Sequence, residues 1–170
     1  MAKNKENDLV IIGTTGSSGL ETVLFGSVAQ RIIRETIVPV LAIPRNSTFR
    51  KIEELVLAVD GKNRFSQISL SPIHKIQHIF NTHIDVLTVQ KENVQINFEA
   101  LGIDFEDVHY SKLEEDDVAA AVKGFCDLKE AQILSVLPQH SGFFERLFHH
   151  SISQELIKYA SLPILALEKD

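Results

Sequence analysis

The sequence lacks most of the features that would place a chain in a membrane, outside the cell or on nucleic acid. It has a single cysteine, Cys126, which cannot form an internal disulfide. That fits a reducing compartment and an expectation of cytoplasmic location. No apolar run approaches the roughly 20 residues that span a bilayer, so no membrane partner is expected. The opening stretch MAKNKENDLVIIG carries charge but no long apolar core and no small-residue cleavage site, which is not the form of a secretory signal. Asn46-Ser47-Thr48 matches the glycosylation pattern, and without export that match has no meaning. Lysine and arginine are not concentrated on any stretch, and the formal net charge is −6. Phosphate-backbone binding depends on clustered positive charge, so nucleic acid is not an expected partner. No nucleophile, base and orienting group can be assembled from the pattern, so no catalytic residue is assigned and robust turnover is not expected.

What the sequence does have is ordinary globular composition, 44% hydrophobic and 24% charged, over 170 residues. That length allows one full core and part of a second. It also has an internal repeat. Residues 8–44 fall on residues 132–168 by a single shift without a gap. Ser17 meets Ser141, Glu21 meets Glu145, Ser27 meets Ser151, Gln30 meets Gln154 and Ile33 meets Ile157. Pro39-Val-Leu-Ala meets Pro163-Ile-Leu-Ala.

Each copy reads as strand, loop, helix, strand. Leu9–Gly13 and Ile133–Leu137 are short continuous apolar runs, as expected of strands buried on both faces of a parallel sheet. Val28, Ile32 and Ile33 mark a helix in the first copy, and Ile152, Leu156 and Ile157 mark its counterpart. Val38–Ile43 and Leu162–Leu167 return to strand. Only the second copy has a complete preamble. Strands are expected over Glu54–Asp60, Ile84–Val89 and Phe105–Leu113. Helices are expected from about Arg64 to Phe80 and over Asp117–Leu128, the latter capped by Asp116 or Asp117. A short helical turn is expected near Phe98. The alternation implies an α/β fold, an open parallel five-stranded sheet with helices on both faces, plus an extra strand-helix-strand half-module. Residues 1–45 form the half-module and residues 46–170 the complete one. A fragment of about 45 residues cannot bury a core alone, so its strands must complete another sheet, in the same chain or in a second copy.

The chemistry is concentrated in Gly13-x₂-Gly16-x₉-Gly26-Ser27, directly after the first strand and ending at a helix start. Gly13 lets the chain turn off the strand and Gly16 accepts a positive φ, and both leave backbone N–H groups uncovered. Gly26 and Ser27 stand where free helix-start donors favour an anion. Thr14, Thr15, Ser17 and Ser18 offer further hydroxyls. Open α/β sheets bind ligands at the carboxyl ends of their strands, where this loop lies.

With this glycine spacing, DLVIIGTTGSSGLETVLFGSVAQRII…VPVLAIP resembles the C-terminal half of a universal stress protein (UspA-type) domain. Residues 52–168 resemble a second such domain. The whole is similar to a tandem universal stress protein without the first part of domain one. The resemblance implies a Rossmann-like fold of the adenine nucleotide alpha hydrolase kind. It implies an adenine-nucleotide (ATP) binding regulator or scaffold in stress response, with Mg²⁺ accompanying ATP. Gly13, Gly16, Gly26 and Ser27 would contact the phosphates and ribose. Asp60 matches in position the family's strand-end Asp, although it belongs to the second module. Dimers or tandem pairs of the family join through their last strands, which places Val38–Ile43 against Leu162–Leu167 in a homodimer or an intramolecular pseudo-dimer.

Plainer readings stand beside these. Leu137, His140 and His150 replace the three glycines in module two, where a Cβ blocks close approach, so no cofactor is expected there. Asp60 precedes Gly61 and serves equally well as a strand-end turn residue. His140, His149 and His150 lack the cysteine or paired carboxylate that would complete a metal set, so no metal is assigned. Phe143, Phe144, Leu147 and Phe148 read instead as a sheet-covering stripe. Glu114–Asp117 reads as a solvated helix start. The alternative functions are a dimerisation module with a vestigial glycine loop, and a slow ATPase.

Overall fold

The computed structural model describes residues 9–14, 31–33, 37–45, 47–62, 64–90, 95–138 and 162–168. They form one seven-stranded sheet with helices against it. The strands are β1 (Val10–Gly13), β2 (Val40–Ile43), β3 (Glu54–Val59), β4 (His83–Gln90), β5 (Val108–Glu114), β6 (Ile133–Val136) and β7 (Ile164–Ala166). Among the described residues, α1 (Gln67–Phe80) and α2 (Val118–Leu128) are helices, residues 31–33 are also helical, and a 3-10 turn covers Phe98–Leu101.

Strand β3 shows why the centre forms as it does. Its β-branched and leucine side chains alternate between two cores. Leu55, Leu57 and Val59 pack with Leu70 and Ile73 of α1. Val56 and Ala58 pack with Val118, Val122, Phe125 and Cys126 of α2. The two helices therefore cover opposite faces, the arrangement that buries a parallel sheet on both sides. Each helix starts at a side-chain cap. Ser66 Oγ accepts the Ser69 N–H at 3.1 Å, and Asp117 Oδ1 accepts the Ala120 N–H at 3.0 Å. Helix α1 ends at Asn81 in the left-handed region (φ 56°), whose N–H reaches Gln77 O at 2.8 Å.

The strand order is β1-β2-β7-β6-β3-β4-β5. Strands β3 to β7 all run parallel, β1 runs parallel to β2, and β2 lies antiparallel to β7 through Val40↔Ala166, Leu41↔Leu165 and Ala42↔Ile164. The sheet is thus mixed, mostly parallel, with a single reversal. One consequence is geometric: the carboxyl ends of β1 and β2 lie at the same end of the sheet as the amino ends of the other five strands.

Two expectations change. The run Leu9–Gly13 does not lie in a two-sided interior. β1 is an edge strand, with Leu9 45% and Ile11 62% exposed, whereas its repeat counterpart β6 is buried throughout. The reason is neighbours: β6 lies between β3 and β7, and β1 touches β2 alone among the described strands. The strand expected from Phe105 begins at Val108. Phe105 is buried as an anchor of the preceding loop, its ring 4.8 Å from that of His74, and the exposed Glu106 and Asp107 form a bend.

Leu57 has no exposed surface, and Leu128 is 78% exposed. Leu57→Ala is expected to cost about 2–5 kcal/mol in urea unfolding, and Leu128→Ala to stay within about 0.5 kcal/mol.

Candidate functional site

Of the glycine-loop residues, Gly13 and Thr14 are described, and Gly16, Ser17, Gly26 and Ser27 lie outside the described residues. Gly13 is exposed at the carboxyl end of β1, and a Cβ placed there would meet no atom of the described residues within 4 Å. Packing against the described residues does not demand glycine at this position. Thr14 turns inward. Its N–H donates to Ile43 O at 3.1 Å, and the residue is 3% exposed. That amide is withdrawn from any surface anion.

Asp60 follows the last residue of β3. Its Oδ1 accepts the Lys62 N–H at 3.0 Å, the Asp60 carbonyl accepts the Gln90 Nε2–H at 2.8 Å, and Gly61 takes φ +72°. This is the Asx-type turn that Asp-Gly favours. The reversal between β2 and β7 puts Asp60 at the opposite end of the sheet from Gly13. They are also four strand spacings apart laterally, each about 4.8 Å. Within one chain the fold does not bring them together.

The other candidates resolve individually. Leu137 packs at the margin of the α1-side core. Glu115 donates its N–H to Gln90 O at 3.0 Å, and Asp117 caps α2, so the acidic run is a strand-to-helix connection. His140, His149 and His150 lie outside the described residues, as do Phe143, Phe144, Leu147 and Phe148. No helix among the described residues is long and apolar enough to cross a membrane.

One cluster was not anticipated from the sequence. At the amino ends of β3 and β4, the acceptor atoms of Glu54, His83 and Asp85 lie within 4.8 Å of one another. Asp85 is fully buried inside β4. Its Oδ1 is 3.0 Å from His109 Nδ1 and 3.1 Å from Lys129 Nζ, and its Oδ2 is 2.8 Å from Lys129 Nζ without an aligned hydrogen bond. Glu54 Oε1 is sealed from water and receives no N–H or hydroxyl hydrogen bond from the described residues. Lys129 is ion-paired with Asp85, so the group is an ion-paired acid cluster. Burial first, then hydrogen bonding to Asp85, pushes the Glu54 carboxyl up to about 7. Burial works to raise Asp85 as well, but hydrogen bonds from Glu54, Lys129 and His109 prevail and hold it below the usual carboxylate range. The sequence signal was a lone Asp in the apolar run IDVLTV, a residue type rarely buried without a partner.

With fold and sites in view, the architecture is that of an open, Rossmann-like α/β protein. Residues 1–44 match the model of the universal stress protein family. A universal stress protein of Methanocaldococcus jannaschii is 48% identical over 44 residues, which are 26% of each chain. Among solved structures, a universal stress protein of Archaeoglobus fulgidus superimposes with a TM-score of 0.63 at 16% identity, over 95% of this chain and 60% of that one. A Pseudomonas aeruginosa structure described as a universal stress protein gives 0.58 at 13% identity, over 94% and 62%. The similarity to the universal stress proteins therefore holds by sequence over residues 1–44 and by fold over nearly the whole described sheet. The chain spans about a quarter of its curated relative and about three fifths of these solved structures.

Cys126 is 4% exposed, and burial pushes its thiol up to about 12. At pH 8 it is expected to react with Ellman's reagent at least about 100-fold more slowly in the folded protein than in urea. Comparable rates would place the thiol at the surface.

Proposed function

We propose that this chain is a non-catalytic regulator or scaffold of the universal stress protein type that binds an adenine nucleotide at residues 13–27. ATP, with Mg²⁺, is the leading ligand. The reading rests on one observation above all: the Gly13-x₂-Gly16-x₉-Gly26-Ser27 spacing begins at the carboxyl end of a strand, at an open glycine. That is where an open α/β sheet receives anions on backbone N–H groups. The family match covers the same residues, 1–44. Asp60 is given no part in this site within one chain, because it lies at the far end of the sheet. The two-module division, residues 1–45 and 46–170, is part of the same reading. So is cytoplasmic location.

Titration of the protein with a fluorescent ATP analogue tests the proposal. Gly16→Val and Gly26→Val are each expected to weaken binding at least tenfold, because a branched side chain covers the amides. Absence of binding by the unaltered protein would sink the nucleotide reading.

A second reading is an interaction module whose loop no longer binds. The inward turn of Thr14 and the exposed edge strand β1 favour it. Apolar edge strands invite pairing with another chain, and the antiparallel contact of β2 with β7 supports an intramolecular pseudo-dimer as the unit that associates. Ile11→Lys is then expected to lower the solution mass to that of a monomer in light scattering. An unchanged mass would remove β1 from any self-association.

A further inference from the structure

The acid cluster at the amino ends of β3 and β4 plays no part in the loop reading, and its geometry poses a problem of its own. One carboxyl oxygen of Glu54 lies within 4.8 Å of one of Asp85, and each group has a buried oxygen, Glu54 Oε1 and Asp85 Oδ2, that receives no aligned hydrogen bond. Buried polar atoms without donors are costly, and two like charges side by side add to the cost. One proton carried by Glu54 and donated to Asp85 removes the like-charge repulsion and gives the two carboxyls a hydrogen bond.

The surroundings fit a single proton. Lys129, at the end of α2, and His109, on β5, both contact Asp85 and keep it ionised. On β4, His83 favours the ionised form of Glu54, but its Nδ1 is engaged with Asp107 Oδ1 at 2.9 Å. Cys126, the titratable group on the covering face of α2, is held protonated by burial.

The same two residues also hold the connection between α2 and β6. Gln132 Oε1 accepts the N–H groups of Glu53 and Glu54, each at 2.8 Å, and the Gln132 N–H donates to Glu54 O at 3.0 Å. Asp85 holds Lys129 from the other side of that connection. We propose that Glu54 and Asp85 share one proton, and that losing it loosens the start of β3 and the α2–β6 connection, making this end of the sheet a pH-responsive element.

The direction follows from linkage. Glu54 is raised from 4.5 to about 7, so its contribution to stability is complete below pH 4.5 and is lost as pH rises through about 7. Asp85 is lowered from 3.8, so its contribution is present above pH 3.8 and is lost only in stronger acid. Between pH 5.5 and 8.5 the cluster's response therefore belongs to Glu54. Glu54→Gln keeps a neutral donor to Asp85 and cannot ionise. Comparing Tm for the full chain and for E54Q over this range cancels the histidines common to both. The unaltered protein is expected to lose about 4 °C more than E54Q as pH rises, with faster amide exchange at Gln132 and Ile133. Parallel Tm profiles overturn the proposal. Independently of that variant, carbon-13 NMR of the glutamate carboxyls is expected to show one titrating near 7; midpoints all below 5 overturn it. A wild-type profile that shifts on adding EDTA also overturns it, because the pair would then hold a metal ion.

Discussion

Three paired positions between β2 and β7 hold the two parts of this sheet together. Among the described residues, 9–45 contribute two strands, too little to bury a core of their own. Their buried side chains, Val40 and Ala42 among them, find one only by joining the cluster that contains Ile164, Ala166 and Leu134. That contact is antiparallel, and the reversal decides where every candidate site lies. It turns the carboxyl ends of β1 and β2 toward the amino ends of the other five strands. Gly13 and the Glu54–Asp85 cluster therefore share one end of the sheet, and Asp60 occupies the other.

The two copies of the repeat show how far context governs equivalent sequence. Ile133 and Ser135 in β6 are 3% and 0% exposed; Leu9 and Ile11, their counterparts in β1, are 45% and 62% exposed. The strands have the same parallel partner on one side, β7 for β6 and β2 for β1. They differ on the other side, where β6 has β3. A buried parallel strand needs both neighbours and both covering faces. The pattern of apolar residues records that need, but it does not record whether a given chain meets it.

The Glu54–Asp85 cluster has a corresponding logic. An acid inside a central strand is tolerated because a lysine from the end of α2 and a histidine from β5 reach it. Such a group contributes little net stability, since ion pairing is offset by desolvation. Its effect is to make the junction of β3, β4 and the α2–β6 connection depend on how many protons the cluster holds.

Much of this was legible in the chain itself. The alternation of LVIIG, ELVLAV and IDVLTV with helical stretches fixed the α/β class, because strand and helix periodicities follow from local backbone geometry. Asp117, one of the two caps expected, began its helix for an equally local reason, and the ungapped repeat marked β1 with β6 and β2 with β7. Tertiary structure alone decided the rest. The reversal at β2 and β7 separates Gly13 from Asp60, and no local signal in either strand encodes which edge it will meet. The partners of Asp85 come from His109 and Lys129, 24 and 44 residues away in the chain. The chain encodes a buried acid's need for partners, but where those partners stand depends on which strands and helices are brought side by side.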